Sequence, residues 1–268
     1  MQMDFDGRDI YLESHGEGPP IILLSGLMMS AKSWIPFLPA LTKHNRLILV
    51  DLLDQGKSSR MSEGYDLSLQ VGVVRRTLDH LGVEQASVAG VSYGASVAMQ
   101  FALAYPRRVE RLVLFNCVAY LSPWLKEVGA GWAAARVSPE LYYHMTTPFF
   151  YSKSFYNKNL DWIKSRRDFL IERYFGDADF LDATARLTDS TSSHDLRDRL
   201  CKIRAKTLVV GGREDILTPL SEQRLVSEQI PGASLVVLED CGHATLYEKP
   251  EAFQTLLAGF VNHESVKI

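Results

Sequence analysis

The chain is poor in cysteine. Its three, Cys117, Cys201 and Cys241, form no CxxC pair and no metal-ligand spacing with histidine. Neither a zinc site nor a disulfide framework is expected, and an odd count fits a reducing compartment. Long apolar runs are missing too. The longest, Pro19 to Met29, is broken by Ser25 and Gly26, and it falls short of the roughly 20 residues that span a bilayer. Neither sign of charge dominates: 29 Lys and Arg stand against 32 Asp and Glu, a net of −3. No basic run offers a track for nucleic acid. The opening MQMDFDGRDI lacks the basic segment and apolar stretch of a signal peptide. Repeats and low-complexity tracts are absent. These absences leave a globular, cytoplasmic protein without a membrane span. Its 268 residues, 46% hydrophobic and 23% charged, suffice to bury a core as one large domain or two small ones.

What is present is an alternation. Short apolar runs at Ile21–Leu24, Leu47–Val50, Ala86–Ala89, Leu112–Phe115, Thr207–Val210 and Leu235–Leu238 each end in turn formers. Continuously apolar strands of this kind are expected when helices cover both faces of a parallel sheet. Helical patterns lie between them. Leu67, Val71, Val74, Leu78 and Leu81 recur at helical spacing, and Gly82 follows as a stop. Tyr93–Ala104 is nearly all small or apolar and closes before Pro106, while Leu220–Ile230 and Glu251–Val261 complete the set. Strand–helix alternation predicts a doubly wound α/β sheet.

The rhythm stops between Val118 and Asp195. That stretch holds three of the four tryptophans (Trp124, Trp132, Trp162) and the aromatics Tyr142, Tyr143, Phe149, Phe150, Tyr151, Phe155 and Tyr156. It reads as a mainly helical insertion, 118–195, on a core made of 1–117 and 196–268. So large an apolar load must face something. Lys164, Arg166 and Arg167 offer a basic cluster for an anionic tail, but are expected to be a solvated helix face.

Gly90-Val91-Ser92-Tyr93-Gly94 is a Gly-x-Ser-x-Gly motif between an apolar strand and an apolar helix. That context suits a nucleophilic serine on a tight turn, where neighbours two residues away must be small. The helix start adds free N–H groups and positive dipole near a developing anion. Serine needs a base, and histidine is suited to the task. Of His15, His44, His80, His144, His194, His243 and His263, His243 alone follows a strand and precedes the final helix. That puts it at the sheet edge where Ser92 stands. An acid must orient the imidazole. Asp215 and Glu214 both follow the 207–210 strand, and Asp215 is favoured. Asp51 also ends a strand but precedes the serine, which fits a turn or capping role.

The order Ser92, Asp215, His243 is the α/β-hydrolase order, and the chain resembles that superfamily along nearly its whole length. Leu52-Leu53-Asp54-Gln55-Gly56-Lys57-Ser58 is similar to a family loop, and Gly242-His243 through Glu248, Pro250 and Phe253 is similar to its histidine segment. The nearest likeness is to small esterases, enol-lactonases and cofactor-free haloperoxidases. The resemblance implies an α/β-hydrolase fold with a helical cap. It also implies an oxyanion hole from the backbone N–H groups of Leu27 and Tyr93, with no metal and no cofactor. Ser25 stands where the family commonly has histidine, which bears on the packing of that loop. The expected activity is hydrolysis of a small hydrophobic ester, lactone or thioester through an acyl-enzyme on Ser92. Carbon–carbon hydrolysis of a diketone-like substrate is the alternative within enzymes. A ligand receptor with slow hydrolysis is the alternative outside them. The oligomeric state is left open.

Overall fold

Each of the six apolar runs is a strand in the computed structural model, which describes residues 1–262; His263 lies outside the described residues. The strands are β3 (Pro20–Leu24), β4 (Arg46–Val50), β5 (Ala86–Val91), β6 (Val109–Phe115), β7 (Lys206–Gly212) and β8 (Ser234–Leu238). Two more, β1 (Gln2–Phe5) and β2 (Arg8–His15), precede them. The eight form one sheet in the order β1-β2-β4-β3-β5-β6-β7-β8. The first two strands pair antiparallel with each other, and β2 pairs antiparallel with β4. All other pairings are parallel.

Periodicity explains why β1 and β2 differ from the rest. Their side chains alternate between exposed and buried, with Met3, Phe5, Ile10 and Leu12 inward. They are joined at Asp6 and Gly7, both with positive φ, the backbone of a tight hairpin turn whose twist matches the strands. The parallel strands, apart from the half-buried edge strand β8, instead bury both faces. In β3, Ile22 and Leu24 enter one core and Ile21 and Leu23 the other.

The helices follow the same logic. In chain order they are α1 (Leu38–Leu41), α2 (Leu67–His80), α3 (Tyr93–Ala104), α4 (Pro123–Ala134), α5 (Pro139–Thr146), α6 (Lys153–Lys158), α7 (Leu160–Leu170), α8 (Ala178–Asp189), α9 (Leu220–Gln229), α10 (Thr245–Glu248) and α11 (Pro250–Asn262). Helices α2, α3 and α9 supply the core on one face, and α11 with the Trp34–Phe37 segment supplies the other. Phe253 is the hub of that second core, its ring centroid 4.3 Å from Phe115 and 5.0 Å from Phe37.

Between β6 and β7 the chain forms α4 to α8. The segments leading out and back are tied together by an isolated bridge: Leu196 N–H donates to Ala119 C=O and Leu121 N–H to His194 C=O. These helices hold their own core, in which Trp132, Tyr142, Tyr143, Phe175 and Leu181 meet Leu217 from the sheet edge. A charged pair makes a second tie. Arg186 of α8 donates through Nε (3.1 Å) and Nη2 (2.7 Å) to the Asp54 carboxylate, whose side chain is fully buried in the loop after β4. Removing one partner strands a buried charge, so Arg186→Ala is expected to lower the unfolding free energy by about 3–5 kcal/mol. Urea denaturation reads this. A change of under about 1 kcal/mol, the worth of a surface pair, would mean that the pair holds nothing. Among the described residues, no helix is long and apolar enough to cross a membrane.

Candidate active site

The C-terminal ends of β5, β7 and β8 bring Ser92, Asp215 and His243 together. Ser92 sits between β5 and α3 with φ 52° and ψ −114°, a strained conformation for a residue with a side chain. The turn is possible only because its flanks lack Cβ atoms. A methyl at Gly90 would lie 2.3 Å from Gly94 C=O oxygen, and one at Gly94 would lie 2.1 Å from Leu24 C=O oxygen.

His243 Nε2 is 3.0 Å from Ser92 Oγ. On the other side of the ring, Nδ1 is 2.9 Å from Asp215 Oδ2. A carboxylate accepts, so Nδ1 carries the proton and Nε2 presents a lone pair to the serine hydroxyl. Asp215 is surrounded by donors: Leu217 N–H (3.0 Å) and Thr218 N–H (2.9 Å) on Oδ1, and Asn116 Nδ2 (2.8 Å) on Oδ2. Burial alone would raise its pKa, but the His243 and Thr218 interactions outweigh burial and hold the carboxyl below its ordinary range. Glu214 is half-exposed and stands outside this cluster, with its N–H on Cys241 C=O. Of the two acids, Asp215 is the one that meets the histidine.

The loop carrying His243 is held from both sides. Buried Glu248 accepts from Gly242 N–H (3.0 Å) and from Ser152 N–H (3.1 Å). Ala244 N–H donates to Phe150 C=O at 2.7 Å. The Phe150 ring lies roughly parallel to the imidazole, 6.1 Å away. The residues between β6 and β7 thus pack directly on the histidine.

Leu27 and Tyr93 line the same cavity as Ser92 and His243. Neither backbone N–H has an internal acceptor among the described residues. Ser25, the departure from the family pattern, is fully buried and accepts a hydrogen bond from Trp34 Nε1 at 3.0 Å. The loop is therefore packed by a tryptophan whose indole N–H needs a small acceptor at position 25.

The cavity measures about 610 Å³. Its wall is mainly apolar, with Met28, Leu125, Trp132, Phe150, Leu170 and Phe175 among the contributors. Arg166 also lines it, which corrects the expectation of a solvated face. Its guanidinium lies 5.2 Å from the Tyr247 ring centroid and 5.7 Å from that of Phe169, and its Nε is buried without a hydrogen-bond partner. Among the described residues it has no carboxylate partner. Lys164 is exposed as expected, and Arg167 pairs with Asp168.

The remaining candidates fall elsewhere. His15, half-buried beside Glu13, and exposed His44, His80 and His144 have no place in the cluster. His194 lines the cavity but its Nε2 is 3.1 Å from Val118 C=O, where the segment after β6 meets the one that returns toward β7, and burial lowers its pKa. Asp51 accepts from Ala31 N–H (2.6 Å) and Lys57 N–H (2.9 Å), a turn-holding role. Burial pushes the Cys117 thiol up to about 12, which leaves it protonated and unreactive.

Fold and site define one class, and the comparison agrees. The family described as alpha/beta hydrolase fold matches residues 19–250, and the chain belongs to it. Among its relatives is a protein of Azorhizobium caulinodans named "Putative carbamate hydrolase RutD", 30% identical, with 94% of each chain covered. A 2-hydroxymuconate semialdehyde hydrolase from a Pseudomonas strain is 28% identical over 93% of this chain and 89% of its own. A solved α/β-hydrolase enzyme from a Medee basin deep-sea metagenome library is 39% identical. It superimposes with a TM-score of 0.97 and covers 100% of this chain and 99% of the other.

Proposed function

We propose that the protein is a serine hydrolase that cleaves a small, mainly apolar ester, lactone or thioester through an acyl-enzyme on Ser92. The observation that carries this reading is the pair of contacts on one imidazole, 3.0 Å to Ser92 Oγ and 2.9 Å to Asp215 Oδ2. His243 takes the serine proton as Ser92 Oγ attacks the carbonyl carbon. The carbonyl electron pair moves to oxygen, where the Leu27 and Tyr93 N–H groups receive it. His243 then protonates the leaving group and activates water for deacylation. Asp215 stays ionised and orients His243. Residues 118–195 act as the cap that closes the cavity from water. A panel of p-nitrophenyl esters tests the reading. Short apolar acyl groups are expected to turn over repeatedly, and a single stoichiometric turnover would favour a slow receptor instead.

Arg166 favours a second reading, in which the apolar substrate carries a carboxylate and the same serine cleaves a carbon–carbon bond. The relative named as a semialdehyde hydrolase supports it at the level of chemistry. A guanidinium left without an anion on a cavity wall is suited to a carboxylate. Arg166→Met is expected to raise KM for a p-nitrophenyl hemisuccinate at least about tenfold, the worth of one charged hydrogen bond, and to leave p-nitrophenyl butyrate unchanged. Equal effects on both esters would remove the carboxylate from the account.

A further inference from the structure

The two candidate oxyanion donors are held by different means. Tyr93 N–H is the first of helix α3 and its direction is set by the helix. Leu27 N–H belongs to the irregular loop after β3, where Met28 takes φ 60°. No ladder or helix orients it. A peptide unit is planar and trans, however, so its N–H points opposite to its C=O. The Leu27 N–H is therefore aimed by whatever holds the Gly26 C=O.

That carbonyl is held by Gln55. Its Nε2 lies 2.9 Å from the Gly26 C=O oxygen and 3.4 Å from that of Ser25. Its Oε1 accepts from Leu52 N–H at 3.3 Å. Two carbonyls on one end and an N–H on the other admit only one orientation of the amide, and only a residue with both a donor and an acceptor satisfies them. Gln55 is itself fixed: it is 2% exposed, its own N–H donates to Leu52 C=O and its C=O accepts from Ser58 N–H. The loop it holds touches the serine. A Cβ at Gly26 would stand 3.5 Å from Ser92 Cβ and 3.2 Å from Val91 C=O oxygen. Among the described residues one other donor reaches the Gly26 carbonyl, Met29 N–H at 3.3 Å, longer than the Gln55 bond.

We propose that Gln55 is a positioning residue of the oxyanion hole: by gripping the Gly26 C=O it turns the Leu27 N–H toward the carbonyl that Ser92 attacks. The proposal rests on the acyl-enzyme reading and adds to it a residue remote from the substrate. It acts on the transition state and on tetrahedral adducts, where charge sits on oxygen, and not on ground-state occupancy of the cavity.

Gln55→Met tests it, since methionine keeps the volume but has no N–H to donate. Three quantities are compared with wild type on the purified full chain, below the unfolding temperature of both: kcat for a p-nitrophenyl ester, affinity for an alkyl trifluoromethyl ketone, and affinity for the matching secondary alcohol. The ketone adds Ser92 Oγ to its carbonyl carbon, its electron pair goes to oxygen and the serine proton to His243. The alcohol fills the cavity without that step. The expected result is a fall in kcat of about 10- to 100-fold, less than the full loss of an oxyanion donor because Met29 still holds the carbonyl. The ketone weakens by a similar factor and the alcohol is unchanged. An unchanged kcat and ketone affinity overturns the proposal, and so does equal weakening of ketone and alcohol, which would mark a change of cavity shape. A wild-type protein that hydrolyses esters yet forms no ketone adduct on Ser92 overturns the acyl-enzyme reading itself, and this proposal with it.

Discussion

Ser92→Ala is expected to lower kcat by about 10⁴-fold or more while equilibrium binding of substrate stays close to wild type. The reason lies in what one oxygen does at this place. Oγ is the atom that faces His243 Nε2, at 3.0 Å, and it stands at the mouth of the α3 N-terminus. On the proposed acyl-enzyme reading, removing it takes away the bond that splits hydrolysis into two steps, yet leaves the apolar cavity wall in place. The backbone gives an independent check. Alanine keeps the Cβ that makes φ 52° costly, so Ser92→Ala should change stability little. Ser92→Gly relieves strain of order 1–3 kcal/mol against an entropic cost of roughly 0.5–1 kcal/mol. It should therefore be equally inactive but more stable. Thermal unfolding beside steady-state kinetics separates the two effects. An alanine variant that keeps wild-type turnover would move the nucleophile elsewhere.

Asp215→Asn is expected to cost about 10⁴-fold in kcat with the fold intact. The direction follows from the donors around the carboxylate. Two fixed backbone N–H groups, of Leu217 and Thr218, converge on Oδ1, whereas the Asn116 amide and Thr218 hydroxyl on Oδ2 are side chains that can turn, so an asparagine keeps its carbonyl oxygen on the backbone donors. Its NH₂ then replaces Oδ2 and faces His243 Nδ1, which is 2.9 Å from Oδ2. Two donors cannot share that contact. The imidazole is driven to the tautomer with its proton on Nε2, and Ser92 loses its acceptor. Glu214→Gln changes the adjacent acid, which does not touch the ring, and should leave kcat within about twofold, the scale of a solvent-facing change. Equal losses in both variants would mean that overall acidity near the loop matters, and not the Asp215 contact. In wild type, the lowered pKa of Asp215 keeps it ionised as pH falls.

The sequence revealed the parts of this arrangement that end a continuous apolar run. Ser92, Asp215 and His243 each follow such a run, so strand position supplied what the short motif could not. Residues whose partners are distant in the chain left no comparable mark. Asn116 also ends an apolar run, but its contact with Asp215, 99 positions away, has no local sign, and neither has that of Glu248 with Ser152, 96 positions away. Gln55 looks like an ordinary polar turn residue until the Gly26 carbonyl is in place. β1 and β2 escaped because they alternate, where each of the other strands contains a continuous apolar run, although Asp6-Gly7 is a hairpin signal. Arg166 misled in the opposite way: three basic residues in four look like a solvated face, but helical rotation puts only one of them on the cavity.

The most direct test of the account is the site of covalent labelling. The native protein is treated with a fluorophosphonate, digested and mapped by mass spectrometry, with loss of esterase activity followed in parallel. A single adduct on the peptide containing Ser92, formed in step with inactivation and absent from Ser92→Ala, is the predicted result. An adduct on another residue, or continued hydrolysis by protein that the reagent leaves unlabelled, would contradict it.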